Sequence, residues 1–373
     1  MGDANVREPE HSFQRSIAMS HPTKPAGRLL ACAAAAAITI LAVPAQALDT
    51  IKIMTPNDVS CSPYPQIASD EFGFFAEEGL QVDLLSSDTS VPYIAFLKNG
   101  QADIVTLDSG MILQAVHTGQ PISIVYEAYQ RGGDGLVVLA EGDIASVADL
   151  KGKTIGMASD RDQLTTALAL SAAGIDITEV TTVVVGDGGP VVAKAMLDGD
   201  IQAFAAAFTD FPGLAAGGLK IKNITPANVS PIPGNTWAVW TPPGEEKRPL
   251  IEKFLRAWAK GQHAGIMDIK AVMSACKKRI PEQWEKAGMG ESIVENSVAN
   301  TQMRRTLKYG ELQGDIWTDV QPPYVKFGEI PGLVEISKFI DASFIDAAND
   351  FSTDDVKKAV KTWKEANKDI LVN

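Results

Sequence analysis

From Thr50 onward, short apolar runs alternate with amphipathic stretches. "TIKIMT" (Thr50 to Thr55) reads as a buried strand. In "YPQIASDEFGFFAEEG", Ile67, Phe72 and Phe75 recur at helical spacing, and Gly79 supplies the stop. "LQVDLL" is the next strand, so the unit is β-α-β and its aromatics form a packing face. Gly73, inside the helical stretch, is expected either to permit a close approach or to end the helix early. Glu77 and Glu78 read as solvated carboxylates of the last turn.

The alternation continues through helix "TSVPYIAFLKNG", strand "ADIVTL", helix "SGMILQAVHTG", strand "ISIVYEAY" and the run "GLVVLAE", taken to close the first segment. After "SVADLKGK" it restarts with strand "TIGMAS", helix "DQLTTALALSAAG", strand "TTVVVG", helix "PVVAKAMLDG", strand "IQAFAAAF" and helix "DFPGLAAG". Single helices between short strands predict α/β layers with largely parallel sheets. A weak repeat relates the two stretches: "LKNGQADIV" (Leu97 to Val105) matches "LDGDIQAFA" (Leu197 to Ala205), and "EEGLQVDLL" matches "AAGIDITEV".

Upstream of the first strand the pattern is different. "LLACAAAAAITILAV" (Leu29 to Val43) follows Lys24 and Arg28, and small residues at Ala45 and Ala47 complete an A-x-A site. Residues 1–47 therefore read as an export signal cleaved after Ala47, with Met1 or Met19 as the start. Fifteen apolar residues fall short of the roughly 20 that span a bilayer. "LLAC" at Cys32 resembles a lipid-attachment box but lacks a preceding apolar region. The protein is expected to be periplasmic and a soluble monomer.

The remaining chain is too long for a single core and suggests two lobes. The formal charge is −13, and loss of four basic and three acidic leader residues leaves about −14. That balance argues against nucleic acid or an anionic membrane as partner. Cys61 and Cys276 show neither C-x-x-C nor metal-ligand spacing, so two buried, unpaired thiols are expected, with a disulfide between them in an oxidising compartment as the less favoured alternative. No cofactor or metal site is implied.

In open α/β sheets ligands bind beyond the carboxyl ends of the strands. Five polar loops occupy such positions: "NDVSCSPY" with Asp58 and Tyr64, "SSDTS" with Asp88, Thr89 and Ser90, "LDSG" with Asp108 and Ser109, "SDRDQ" with Ser159 and Arg161, and "GDGGP" with Gly188. Asp210 opens a further helix. Helix N-termini suit an anion, though Ser90, Ser109 and Ser159 equally suit plain N-caps. Arg131 and Arg161 are candidate clamps for a sulfonate or carboxylate, although Asp160 and Asp162 flank Arg161 and can neutralise it. Tyr64, Tyr93, Tyr129, Phe211 and Trp237 are the aromatics expected nearest the cleft, with core packing as the alternative for each.

An exported chain carrying "FGFFAEEGLQVDLL", "FLKNGQADIV", "VADLKGKTIGMAS" and "MLDGDIQAF" in that order resembles the periplasmic solute-binding proteins of ABC importers. It is most similar to the branch for nitrate, sulfonates, taurine and thiamine-pyrimidine precursors (NitT/TauT-like), over roughly Thr50 to Asp355. The resemblance implies a type II periplasmic-binding-protein fold, two α/β lobes joined by two hinge crossovers. Lobe one would be residues 48–140 and 235–373, and lobe two the insertion 141–234. "NTWAVW" would return the chain to lobe one. The later helices would pack there, as "PLIEKFLRAWAKG" does through Leu250, Phe254, Leu255 and Trp258. The hinges would lie near "VLAEGD" and "IPGNTW", with Gly142 and Gly234 absorbing the motion.

The implied function is capture of a small organic solute, a sulfonate, carboxylate or pyrimidine-like compound, for delivery to a membrane permease and its ATPase. A periplasmic sensor is the alternative. A pyrimidine-forming thiamine enzyme of the same fold is less favoured, because no cysteine run is present and only His117 and His263 lie outside the leader.

Overall fold

A computed structural model describes residues 48–372 except 56–59, 86–92, 228, 230–231, 287 and 302–307. The export signal at 1–47 and the site candidates Asp58, Asp88, Thr89 and Ser90 lie outside the described residues. β1 (Asp49–Met54) leads through α1 (Tyr64–Glu71) and the one-turn α2 (Phe74–Glu77) to β2 (Leu80–Leu84). α3 (Tyr93–Lys98), β3 (Ile104–Leu107), α4 (Ser109–His117) and β4 (Ile122–Glu127) follow. The second sheet and its helices come from β5 (Asp134–Leu139), β6 (Thr154–Met157), α5 (Asp162–Ala172), β7 (Thr181–Val184), α6 (Pro190–Asp198), β8 (Ala203–Ala207), α7 (Phe211–Ala216) and β9 (Ile221–Asn223). β10 (Thr236–Trp240) returns to the first sheet. The rest is helical: α8 (Arg248–Met267), α9 (Ile269–Arg279), α10 (Met289–Thr301), α11 (Gly314–Asp319), α12 (Gln321–Lys326), α13 (Ile345–Ala348) and α14 (Thr353–Ala366).

The sheets run β2-β1-β3-β10-β4 and β7-β6-β8-β5-β9. In each, three parallel strands are followed by one antiparallel strand from the other side of the crossing: β10 beside β3 and β4, β5 beside β8 and β9. The two sheets therefore share one wiring, in which β3 and β8 hold equivalent places, as do β2 and β7. The sequence repeat leads into those same two pairs.

β5 corrects the sequence reading. "GLVVLAE" pairs in register with β8 (Leu136 opposite Ala205) and with β9, so it stands in the second sheet and does not close the first segment. The chain thus crosses at residues 128–133, and the lobe-two insertion begins several residues before 141. Gly142 lies past the far end of β5, away from that crossing. α11 and α12 correct a second expectation, that the later helices pack on lobe one alone. The Trp317 indole donates to Glu127 Oε1 at 2.9 Å beside the first sheet, while α12 lies against α5 of the second.

The aromatic stretch is packing, as expected. Phe72 and Phe74 meet edge to face, Phe72 packs against Trp363 at 5.3 Å, and Phe75 stacks on Phe254 at 5.8 Å. Gly73 adopts φ +83 with no atom near its missing Cβ, so its role is to end α1 and restart the chain as α2. α8 buries Phe254, Leu255 and Trp258, and Trp237 stands edge-on to both rings. Closer to the C-terminus of α8, Gly261 and Gly265 admit α1: a Cβ at Gly261 would lie 2.3 Å from the Pro65 carbonyl oxygen.

Glu78 is not the solvated carboxylate that the sequence suggests. Arg256 grips it through Nε and Nη2 at 2.9 and 2.8 Å, and the buried Lys260 ammonium reaches it at 2.9 Å. Burial alone would raise its pKa, yet the hydrogen bonds from Arg256 and Lys260 hold it below the usual carboxylate value. The bridge ties the end of α2 to α8. Glu78→Gln leaves the buried Lys260 with exposed Glu77 as its counter-charge and takes from Arg256 its bidentate partner, and is expected to cost about 2 kcal/mol in urea unfolding. Exposed Glu77 also meets Lys260, at 3.1 Å, and Glu77→Gln is expected to cost about 0.5 kcal/mol or less.

Candidate functional site

Strand direction decides which loops can meet. The carboxyl ends of β1, β3 and β4 and the amino end of β10 share one edge of the first sheet. The carboxyl ends of β6, β7 and β8 and the amino end of β5 share one edge of the second. Two segments, residues 128–133 and 224–235, join those edges. They are bonded to each other: Tyr129 N donates to Asn235 O and Gly234 N to Tyr129 O, both at 3.0 Å. Gly234 is required there, because a Cβ would lie 2.7 Å from that of Tyr129. The loops after the strands therefore face one another across a cleft whose floor is this double crossing.

On the first wall, Asp108 caps α4 by accepting from Met111 N at 2.7 Å. Ser109 is buried, and its hydroxyl donates to the Pro233 carbonyl at 2.7 Å, which fastens α4 to the second crossing. Tyr324 of α12 hydrogen-bonds Ser109 and is raised by burial and by the Asp108 charge. On the second wall, Asp162 accepts from Ser159 N at 2.8 Å and from Ser159 Oγ at 3.1 Å. Arg161 reaches across to the Asp108 carboxylate at 3.8 Å, both side chains about half exposed. This pair joins two residues that the sequence nominated separately.

The electrostatics of the cleft are acidic. Asp134, at the start of β5, is open to solvent but crowded by both walls. That enclosure, together with Asp162, Asp108 and Asp210, pushes its carboxyl up to about 7, against a hydrogen bond from Thr165. Water in the cleft tempers this repulsion. Asp210, before α7, is likewise raised to about 7 by burial, Asp187 and Asp162. Burial also raises Asp162.

The remaining candidates separate into those at the cleft edge and those in the core behind it. Gly188 packs so closely on Asp210 that a Cβ would lie 2.2 Å from its carbonyl oxygen, so Gly188 positions Asp210 and Asp187. Arg131 is exposed at the crossing, its backbone N–H donating to Asn300 O at 3.2 Å. Tyr129 stays at the junction, with its hydroxyl on Ser62 O at 2.6 Å and its ring 6.4 Å from Phe208. Tyr64 and Trp237 are core residues: Tyr64 bonds Thr301 and Gln262 O behind α1, and Trp237 is fully buried against α8. Tyr93 is buried, and Phe211 packs edge-on against Phe204.

Sequence reasoning missed Asp134, Asp187, Phe208 and Tyr324. Asp187 stands inside "GDGGP" and Asp134 directly precedes "GLVVLAE", and strand polarity was the signal that would have found them. Tyr324 comes from a distant helix and left no local mark. Among the described residues, no group of three or more His, Cys, Asp or Glu side chains is arranged to hold a metal ion. A cavity of about 660 Å³ between α8 and α14 lies away from these edges. Three of its lysines pair with carboxylates, Lys364 with Asp268, Lys361 with Glu365 and Lys357 with Asp354, as on a solvated surface.

A family model described as NMT1/THI5 like matches residues 64–268, more than half of the chain. The chain belongs to the NMT1/THI5-like family. The match spans most of both sheets and both crossings. The riboflavin-binding protein RibY of Chloroflexus aurantiacus is 25% identical over 297 residues, 78% of this chain and 83% of its own. The periplasmic aliphatic sulphonate binding protein SsuA of Escherichia coli superposes with a TM-score of 0.61 at 13% identity, over 78% of this chain and 92% of that one. The desulfurization enzyme DszB does so at 0.54 and 14%, over 80% and 98%. The fold of this NMT1/THI5-like chain is thus that of the periplasmic binding proteins, as its motif order implied.

Crowded carboxylates have a consequence for the ligand-free protein. Asp134 and Asp210 hold their protons up to about 7 when folded, well above an ordinary aspartate. Their contribution to stability is present below about pH 4 and lost as pH rises through 7. Asp210→Asn removes one charge of the cluster. Its melting temperature, compared with wild type, is expected to be higher at about pH 8 and little changed at about pH 4. Parallel curves for the two proteins would contradict the coupling.

Proposed function

We propose that this protein is the solute-binding component of an ABC-type importer, and that it holds a cationic or donor-rich small organic solute between its two sheets. The observation that carries the ligand class is the convergence of Asp108, Asp134, Asp162, Asp187 and Asp210 on one cleft, with Arg161 engaged by Asp108. A sulfonate or carboxylate would have to shed water beside these carboxylates, against both desolvation and repulsion. An amine-bearing pyrimidine-like compound or a polyol-bearing ring meets acceptors instead. Riboflavin, named for the Chloroflexus relative, is uncharged and rich in hydroxyl donors, whereas the sulphonates named for SsuA are anions.

The family membership, the fold and the leader-like pattern of residues 1–47 support a periplasmic binding role, with a permease and ATPase as partners. The facing loops of the two sheets support this reading. A solute touching both walls stabilises the closed arrangement more than the open one, and that difference is what a permease can read. Phe208, half-buried beside Tyr129 at the cleft floor, offers an apolar surface for a planar ring.

Thermal-shift screening separates the ligand classes. A solute at 100 times its Kd adds about 2.7 kcal/mol of stability. Aminopyrimidines and flavin-like compounds are expected to stabilise the protein, and alkanesulfonates are not. For a cationic hit, affinity is expected to rise from about pH 6 to pH 8, as Asp134 and Asp210 ionise through about 7. Sulfonates that bind best, and more weakly at the higher pH, would overturn this ligand class.

A further inference from the structure

Cys61 and Cys276 are separated by more than two hundred residues, yet the fold places both in one apolar core, each fully buried. The Cys276 thiol is hydrogen-bonded to that of Cys61. Neighbouring backbone is already fixed around the pair. Cys61 N donates to Gln283 Oε1 at 3.0 Å, and Gln283 Nε2 donates to Ser60 Oγ at 3.1 Å, so the residues entering α1 are anchored to the turn after α9. Both cysteines are free thiols here. Neither contributes to the cleft electrostatics.

We propose that Cys61 and Cys276 are a disulfide-forming site that cross-links the first wall of the cleft to α9. Each thiol gives up a proton, one S–S bond forms between the two Sγ atoms, and two electrons pass to a disulfide oxidant. With oxidised glutathione, its own S–S bond breaks and two reduced molecules leave, so protons and electrons balance. The reaction belongs to the folding chain, before burial closes the thiols from solvent. The bond would fix the far end of the segment that leaves β1 at the cleft and enters α1 at Tyr64. A cross-link enclosing so long a loop restricts the unfolded chain strongly.

The test uses the full chain refolded with oxidised glutathione, denatured, alkylated and digested. A linked peptide containing Cys61 and Cys276, with Cys32 alkylated, is the expected result. Alkylation of both Cys61 and Cys276, or linkage of either to Cys32 or glutathione, would overturn the site. The map needs only the wild-type chain, so it stands even if Cys276→Ser fails to fold. Where that variant folds, dithiothreitol is expected to lower the melting temperature of the oxidised wild type by about 5–10 °C and to leave the variant unchanged. Equal responses would also overturn the proposal.

Discussion

The whole arrangement depends on one constraint: two sheets of identical wiring are joined through the double crossing at Tyr129 and Gly234, where the two strands of chain touch backbone to backbone. Because β10 and β5 exchange sheets at that point, the carboxyl edges of the parallel strands in both lobes are turned toward each other. Every loop that can contact a ligand follows from this. So does the crowding of the aspartates, since each stands where such a strand ends or where β5 begins.

Carboxylates placed this close oppose one another, and the structure contains partial remedies. Ser159 donates twice to Asp162, Arg161 meets Asp108, and Thr165 bonds Asp134. Asp134 and Asp210 nevertheless remain raised toward neutrality, which is a cost of crowding them in the cleft. Away from the cleft, the first lobe is held by the Glu78 ion pairs and the aromatic stack of Phe75, Phe254, Trp258 and Trp237.

Local pattern made some of this legible. The spacing of Ile67, Phe72 and Phe75 gave the packing face of α1 and α2, and Phe254, Leu255 and Trp258 gave that of α8. The repeat at Leu97 and Leu197 marked equivalent strands before any pairing was visible. Non-local choices were not legible. A uniformly apolar run such as "GLVVLAE" carries no sign of which sheet will take it, and an aromatic at a strand's end suits core and cleft alike, which is why Trp237 and Tyr64 were nominated for the site. Glu78 looked solvated because Arg256 and Lys260 stand far along the chain. Asp134 became visible as a cleft residue only once the direction of β5 was known.

The central claim is that a solute is held between the facing edges and draws the two sheets together. Small-angle scattering, with and without the tightest-binding solute at saturation, tests it most directly. The radius of gyration is predicted to fall on binding, as hinge closure at residues 128–133 and 224–235 requires. An unchanged radius at full occupancy would contradict the account.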